Sequence, residues 1–230
     1  MSWTKRIALA AVVLVLVGLV VGGAWLYRSL YYVPEFYSQA LALGAPELQK
    51  SNREMLRRTA ALNNDLKRIG QWQALFTDQQ INGWLAVDVP KNHPDLLPPE
   101  VRDPRVRIMP EGIFAGAKFE GEVSAVISLQ LAVRLTAPNV LAVRIHKARV
   151  GDVPWPLDRV VEEVVAAAAS WGLQVEQTQT DGDPVLLVTL PPDLQDNRRH
   201  ILLEHLELRD GEVFLSGRTT AGSTTSENNN

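Results

Sequence analysis

The chain has 230 residues, of which 46% are apolar and 21% charged, so it is neither a disordered nor a collagen-like protein. Its formal charge of −3 argues against a dedicated nucleic-acid-binding domain. The absence of cysteine excludes disulfides, thiolate metal sites and cysteine nucleophiles. The length suits one folded domain with an accessory segment.

The N-terminus carries the strongest signal in the sequence. Residues 7–27 form an uncharged run that, at about 1.5 Å per residue, can cross a hydrocarbon core of about 30 Å. Lys5 and Arg6 precede this run, and Arg28 alone follows it. The positive-inside bias therefore predicts a single-pass membrane protein with a cytoplasmic N-terminus (residues 1–6), a transmembrane signal-anchor helix (7–27) and an exported C-terminal part, periplasmic or extracellular.

Two further readings of this segment stay open. The small residues Gly22, Gly23 and Ala24 resemble a weak cleavage site, which would make the segment a removable signal peptide; its length favours an anchor. Gly18 and Gly22 have the four-residue spacing that lets two membrane helices pack closely. This spacing predicts a homodimer through the transmembrane helix, although it also arises by chance in spans rich in valine and glycine.

Residues 28–71 are predicted to form a juxtamembrane helical stalk, with helices over 35–43 and 47–69. The longer helix has a heptad pattern that Asn52 and Thr59 interrupt. It is therefore either a short coiled coil or an amphipathic helix that lies on the domain or forms the stalk. Beyond the anchor and its flanking Arg28, there are 20 basic and 26 acidic residues, a net charge of −6, which argues against nucleic acid or an anionic lipid surface as a partner.

Residues 72–217 are predicted to form an exported α+β domain. Thr77 and Gln80 match a capping box that starts a helix, and Pro90 prevents this helix from continuing past residue 89. Over 123–135 every odd position is apolar, which predicts a half-buried strand about 13 residues long. A three-residue turn over 137–139 then gives a hairpin with three apolar pairs: Leu135 with Leu141, Val133 with Val143, and Leu131 with Ile145.

The rest of the domain continues this pattern. Asp181-Gly182 and Asp210-Gly211 predict two tight hairpins. Between them and the first hairpin, residues 157–171 predict an amphipathic helix with a thin, alanine-rich end. The fold class is therefore α+β, a long bent antiparallel β-meander packed around or against two amphipathic helices, followed by a disordered tail over 218–230.

The sequence offers little for chemistry. His200, Glu204 and His205 approach a zinc-peptidase motif but have one residue too many, and in a strand His205 would point away from the other two. No nucleophile elbow, phosphate loop or dinucleotide fingerprint is present. We therefore expect no enzyme activity, no catalytic residue, no metal and no cofactor.

The order of elements resembles a known group of proteins. Residues 76–85 (FTDQQINGWL) follow the anchor, a long meander comes next, and residues 151–157 (GDVPWPL) open the second helix. This arrangement is similar to bacterial membrane-anchored envelope domains of unknown function related to the tubular lipid-binding (TULIP-like) proteins. The resemblance covers roughly residues 72–217 and implies a bent sheet that wraps helices around an apolar tunnel; it carries over no ligand residue.

Two functions follow from these patterns. The first is an exported domain that binds a lipid or another apolar ligand between helix and sheet. The second is a non-catalytic structural or assembly domain that acts through protein partners in the cell envelope. For the first, the predicted tunnel-lining residues are Val123, Ala125, Ile127, Leu129, Leu131, Val133, Leu157, Val161, Val164 and Val165.

Overall fold

The computed structural model of the protein describes residues 27–121, 124–170, 172–191 and 199–222. Most of the predicted transmembrane segment, with Gly18 and Gly22, lies outside these ranges, as does Val123. Within them, no helix combines the length and the apolar character that crossing a membrane requires.

The described chain is an α+β fold with ten strands and five α-helices. The helices are α1 (Glu35–Leu41), α2 (Ala45–Leu66), α3 (Asp78–Val87), α4 (Val89–Asn92) and α5 (Leu157–Ser170), with a 3₁₀ turn at Pro94–Leu96. The strands are β1 (Gly70–Thr77), β2 (Val101–Met109), β3 (Gly112–Glu120), β4 (Ser124–Ala137), β5 (Val140–Val150), β6 (Val153–Pro154), β7 (Gln174–Thr180), β8 (Asp183–Thr189), β9 (Arg199–Arg209) and β10 (Glu212–Ala221).

The strands form two antiparallel sheets rather than one continuous meander. The large sheet has seven strands in the order β2-β3-β4-β5-β8-β7, with β6 paired to β5. The small sheet has the order β1-β10-β9, so the first strand pairs with the last. The sequence analysis missed β1, although Trp72, Ala74 and Phe76 alternate along it, because its partner strand is far away in the chain.

The β4–β5 hairpin confirms the predicted register. Leu135 lies opposite Leu141, Val133 opposite Val143 and Leu131 opposite Ile145. The turn itself differs from the prediction: Ala137 pairs with Val140, so the loop is tighter and a bulge at Thr136 absorbs the extra residue. Burial of the apolar face determines which residues of the two strands are paired, and the bulge lets the turn accommodate that register.

The hydrophobic core lies between α5 and the large sheet. Val160 and Val161 of α5 are buried against Ile145, Ala148 and Leu186 of β5 and β8. The apolar face predicted for this helix is therefore its packed face.

The segment predicted as a stalk packs on the folded domain instead. Tyr37 of α1 is only 1% exposed, and its hydroxyl donates to the carbonyl oxygen of Asp103 on β2 at 2.9 Å. In α2, Asn52 is buried where the helix passes Gly83 of α3. Residues 35–66 are thus part of the domain, because their apolar faces find partners on β2, β3 and α3.

Helix α3 closes the outer edge of the large sheet. The side chain of Asn82 accepts from the amide of Val106 at 2.7 Å and donates to its carbonyl oxygen at 2.9 Å, as a neighbouring strand would. Asp78 accepts from Arg107 at 3.1 Å and from the amide of Ile108 at 3.5 Å. The predicted capping box of Thr77 and Gln80 starts this helix and is confirmed. The motif at residues 76–85 therefore has a structural role, since it protects an edge strand.

The C-terminal boundary also needs a correction. Strand β10 continues through Ala221, and Thr219 is 1% exposed with its hydroxyl donating to the carbonyl oxygen of Leu66 at 3.1 Å. The expectation of a disordered tail from residue 218 is thus wrong for residues 218–221. Their polar composition misled the sequence analysis, because strand pairing and the end of α2 satisfy the polar groups.

Candidate functional site

An apolar cavity of about 380 Å³ lies beside the segment that follows the predicted membrane span. We call it the Tyr37 cavity. Its lining residues are Tyr31, Val33, Tyr37, Leu41, Asp103, Lys118, Ser124, Ala125 and Val126. The cavity therefore lies between the residues that follow the predicted membrane span and strands β2 to β4.

The cavity exists because α1 can approach β3 closely. A Cβ at Gly116 of β3 would lie 2.9 Å from the ring of Tyr37 and 3.2 Å from that of Phe36, so only glycine leaves space for this contact. Phe36 also stacks at a tilt on Phe114, with ring centroids 5.9 Å apart. These contacts fix Tyr37 as one wall, and burial raises the pKa of its phenol.

The rim of the cavity carries charge on one side and exposed apolar residues on the other. Lys118 donates to Glu120 at 2.9 Å, and this hydrogen bond raises the pKa of the ammonium group. On the other side, Tyr31, Val33 and Leu41 are 49%, 43% and 40% exposed. An apolar interior with charged groups of both signs at one edge, Lys118 with Glu120 and the neighbouring Asp103, suits an amphiphile better than a fully polar ligand.

The structure places the predicted tunnel-lining residues in different surroundings. Ala125 lines the Tyr37 cavity. Six others pack against one core cluster around Ile145 and Leu186: Leu129, Leu131, Leu157, Val161, Val164 and Val165. Ile127 and Val133 are half-buried on β4, opposite Val150 and Val143 of β5. A tunnel lined by this set stays a prediction.

Sequence reasoning missed most of the Tyr37 cavity. It placed both Tyr31 and Tyr37 in a stalk. The signal that could have found the site is the pair Phe36 and Tyr37 in a short helix, since two adjacent aromatic side chains need a surface to cover them.

A second cavity, of about 270 Å³, lies on the same face of the large sheet. We call it the Lys147 cavity. Its walls are Tyr32, Pro34, Phe36, Phe114, Ser128, Leu129, Gln130, Lys147, Arg149 and Gly151. Unlike the Tyr37 cavity, it contains two basic side chains, and Phe36 is shared with the contacts that hold α1.

The histidines are placed in ordinary structural pairs. His146 lies 2.9 Å from Asp183, and His93 lies 3.5 Å from Asp88. Glu204 pairs with Arg218 at 3.0 Å. Across the described residues, no group of three or more acidic or histidine side chains is arranged to hold a metal ion.

Comparisons of the chain with protein-family models, with curated proteins and with solved structures return no match. The geometry of the two cavities therefore carries the functional argument.

Proposed function

We propose that this chain is a single-pass, membrane-anchored envelope protein whose exported domain binds the acyl chain of a membrane lipid in the Tyr37 cavity. The observation that carries the proposal is the apolar lining of this cavity next to the segment that leaves the predicted membrane span. Its volume of about 380 Å³ falls within the range of about 300–1,000 Å³ that is typical of small-ligand sites.

The location of the cavity supports a lipid rather than another apolar ligand. Tyr27 ends the uncharged run of residues 7–27, and Tyr31 and Tyr32 follow it closely; they are 65%, 49% and 49% exposed. Tyrosines in this position suit the membrane–water interface. A lipid acyl chain that leaves the bilayer there meets the rim formed by Tyr31, Val33 and Leu41 before it reaches open water.

The membrane anchor and the origin of the domain are part of the same proposal. A signal-anchor helix over residues 7–27 would hold the α+β domain at the exported face of the membrane, with Gly18 and Gly22 available for helix pairing. A TULIP-like origin of the domain would agree with a lipid ligand, although the Tyr37 cavity lies at the start of β4 and not between α5 and the sheet.

The second candidate is a structural or assembly domain that acts through protein partners. The close packing of α5 on β5 and β8 favours it, because that packing gives the sheet a dry core without any ligand. Under this candidate the protein would carry no lipid after extraction from the membrane.

A change at Ala125 tests the proposal. Ala125 is 6% exposed and lines the cavity, so Ala125→Trp would fill space that the acyl chain occupies. We expect native mass spectrometry of the full-length protein, extracted in mild detergent, to detect bound lipid in the parent and to lose it in this variant while the melting temperature stays close to that of the parent.

Ala137→Trp is the matched control, since Ala137 is exposed at the far end of the same strand. It should retain the lipid. Two results together would contradict the proposal and favour the structural domain: no lipid on the parent, and a melting temperature that collapses in Ala125→Trp. In that case the added side chain would overpack a filled core and lower the free energy of unfolding by about 1–3 kcal/mol or more.

A further inference from the structure

Four polar side chains from two paired strands meet in the Lys147 cavity. Ser128 of β4 lies opposite Arg149 of β5, and Gln130 lies opposite Lys147. Directly opposed residues on antiparallel strands have Cβ atoms about 5 Å apart, and alternate residues share a face. A hydroxyl, a carboxamide, an ammonium and a guanidinium group therefore line one space of about 270 Å³.

A β-bulge on β5 lies directly beside these four residues. The register of β4 and β5 shifts between Gln130 and Leu131, which leaves His146 of β5 without a paired residue on β4. Beyond the shift, Leu131 faces Ile145 on the side of the core, whereas Gln130 faces Lys147 on the side of the cavity. The extra residue thus places Ile145 and Ala148, three positions apart, on the core face of β5, while Lys147 and Arg149 lie on the cavity face.

The charge of the cavity is positive. Lys147 forms no ion pair with any other described residue, and no carboxylate side chain is among the residues that line the cavity. Arg149 pairs with Asp152 through Nη1, but a guanidinium group has five N–H donors. The cavity therefore offers several donors to an anion, in the fork geometry that suits a phosphate group.

The opposite wall belongs to the segment next to the predicted membrane span. Tyr32 and Pro34 line the cavity and follow the end of that span by a few residues. Ser29, in the same segment, is buried and its carbonyl oxygen accepts from the amide of Asp152 at 2.7 Å. With the anchor of the proposed function in the bilayer, this contact would hold the cavity near the depth of the lipid headgroups.

We propose that the Lys147 cavity binds a phosphate group, with Lys147 and Arg149 as its cationic ligands and Ser128 and Gln130 as neutral donors. The net charge of −6 beyond Arg28 opposes contact with an extended anionic surface. A single phosphate close to Lys147 responds mainly to nearby charges, because exposed charges are screened over about 8 Å at physiological ionic strength. This site is separate from the Tyr37 cavity, so the proposal of phosphate binding does not depend on lipid binding in that cavity.

The test uses the full-length protein in neutral detergent with two probes. The first is an equal mixture of phosphatidylglycerol and phosphatidylcholine, with retention of each lipid measured by native mass spectrometry. The second is inorganic phosphate, with binding measured as a rise in melting temperature. Lys147→Gln and Arg149→Gln remove the proposed ligands, and Arg134→Gln is the control, because Arg134 is an exposed cation on the same strand outside the cavity.

We expect selective retention of phosphatidylglycerol that falls roughly tenfold in Lys147→Gln and in Arg149→Gln, stays unchanged in Arg134→Gln and survives in Lys147→Arg, which keeps the charge. That result supports the site with a lipid headgroup as the source of the phosphate. A response to inorganic phosphate with the same dependence on the variants, and no lipid preference, supports the site with a free phosphate or phosphate ester as the source. The proposal is overturned if neither probe binds, or if all the glutamine variants respond like the parent.

Discussion

The single residue Asn139 connects the two sheets through hydrogen bonds. Its side-chain oxygen accepts from the amide of Leu203 at 2.6 Å, and its side-chain nitrogen donates to the carbonyl oxygen of Ile201 at 2.7 Å. Its own amide donates to Leu203 and its carbonyl oxygen accepts from Leu190. The turn between β4 and β5 thus fixes β9 against the end of the large sheet.

Asn139→Gly should lower the free energy of unfolding by about 2–4 kcal/mol, because it leaves a buried donor and a buried acceptor on β9 without partners. Asn139 has φ of 62°, which glycine adopts without strain, so backbone strain does not contribute. The measurement is denaturant unfolding of the full-length protein in detergent. Asp181→Gly, at an exposed turn with φ of 52°, is the control and should change stability by no more than about 0.5 kcal/mol. Equal effects of the two variants would contradict the role of Asn139.

Two carboxylates give the folded protein opposite responses to pH. Burial raises the pKa of Asp78, although the Arg107 guanidinium acts against this shift. The hydrogen bond from Arg144, with a further one from His146, lowers the pKa of Asp183. The folded protein therefore holds the proton of Asp78 more tightly than the unfolded chain does, and that of Asp183 less tightly.

The sign of each contribution follows from these directions. Protonated Asp78 makes its whole contribution to the free energy of unfolding below the ordinary pKa of 3.8. This contribution is lost as pH rises through the higher pKa that Asp78 has in the folded protein. The stability from ionised Asp183 is present above 3.8 and is lost as pH falls through its lower folded-state value. Across this acidic range, the unfolding free energies of Asp78→Asn and Asp183→Asn should therefore depart from that of the parent, and the two departures should change with pH in opposite directions. Parallel curves for all three, with Asp95→Asn from the exposed turn as a control, would refute the assignment.

Among the elements, α2 and α3 make the closest contact described in the helical layer. A Cβ at Gly83 would lie 2.5 Å from the backbone nitrogen of Asn52, 2.7 Å from Cβ of Ser51 and 2.8 Å from the carbonyl oxygen of Leu48. Two of these are backbone atoms, so the helices themselves would have to separate. The glycine is therefore what allows α2 to cover α3 and, through it, the edge of β2.

Gly83→Ala should destabilise the protein by about 1–3 kcal/mol, although alanine favours a helix over glycine by about 1 kcal/mol. Thermal unfolding of this variant should be compared with that of Gln79→Ala, an exposed change on the same helix. A melting temperature for Gly83→Ala equal to or above that of the parent would show that α2 does not pack on α3 as described.

The elements also show what sequence patterns can and cannot predict. The apolar alternation of β4 and β5 predicts their register, because burial leaves one choice, and Asp-Gly pairs predict the two later hairpins, both of which are confirmed. Strand β1 and the last residues of β10 escaped prediction because each depends on the other across most of the chain. Local patterns do not record such long-range pairing.

At the scale of the whole molecule, the candidate site arises where distant segments meet. The Tyr37 cavity needs α1, the β2 bulge near Asp103 and the start of β4, and the single residue that admits α1 is Gly116. Of these, the sequence analysis named only Ala125 as a site residue. It assigned Tyr37 to a stalk because the helix is short and its covering surface on β3 comes from residues far along the chain.

In the proposed function, membrane attachment and ligand binding would share one surface of the molecule. The buried Ser29 and the cavity-lining residues Tyr31 to Tyr37 belong to one segment, which follows the predicted span and packs on the large sheet. In the proposed function, an anchor over residues 7–27 would place both cavities next to the bilayer. Under that proposal, an acidic domain could still take a lipid from the membrane.

Photo-crosslinking tests the central claim, that an acyl chain enters the Tyr37 cavity, most directly. The full-length protein would be reconstituted with a phospholipid that carries a diazirine near the end of its acyl chain, irradiated, digested and mapped by mass spectrometry. We predict crosslinks at Tyr37 and Ala125, which are 1% and 6% exposed and so are out of reach of a chain that stays in the bilayer. Crosslinks confined to residues 7–27, or found instead at Leu131 and Val161 in the core under α5, would contradict it.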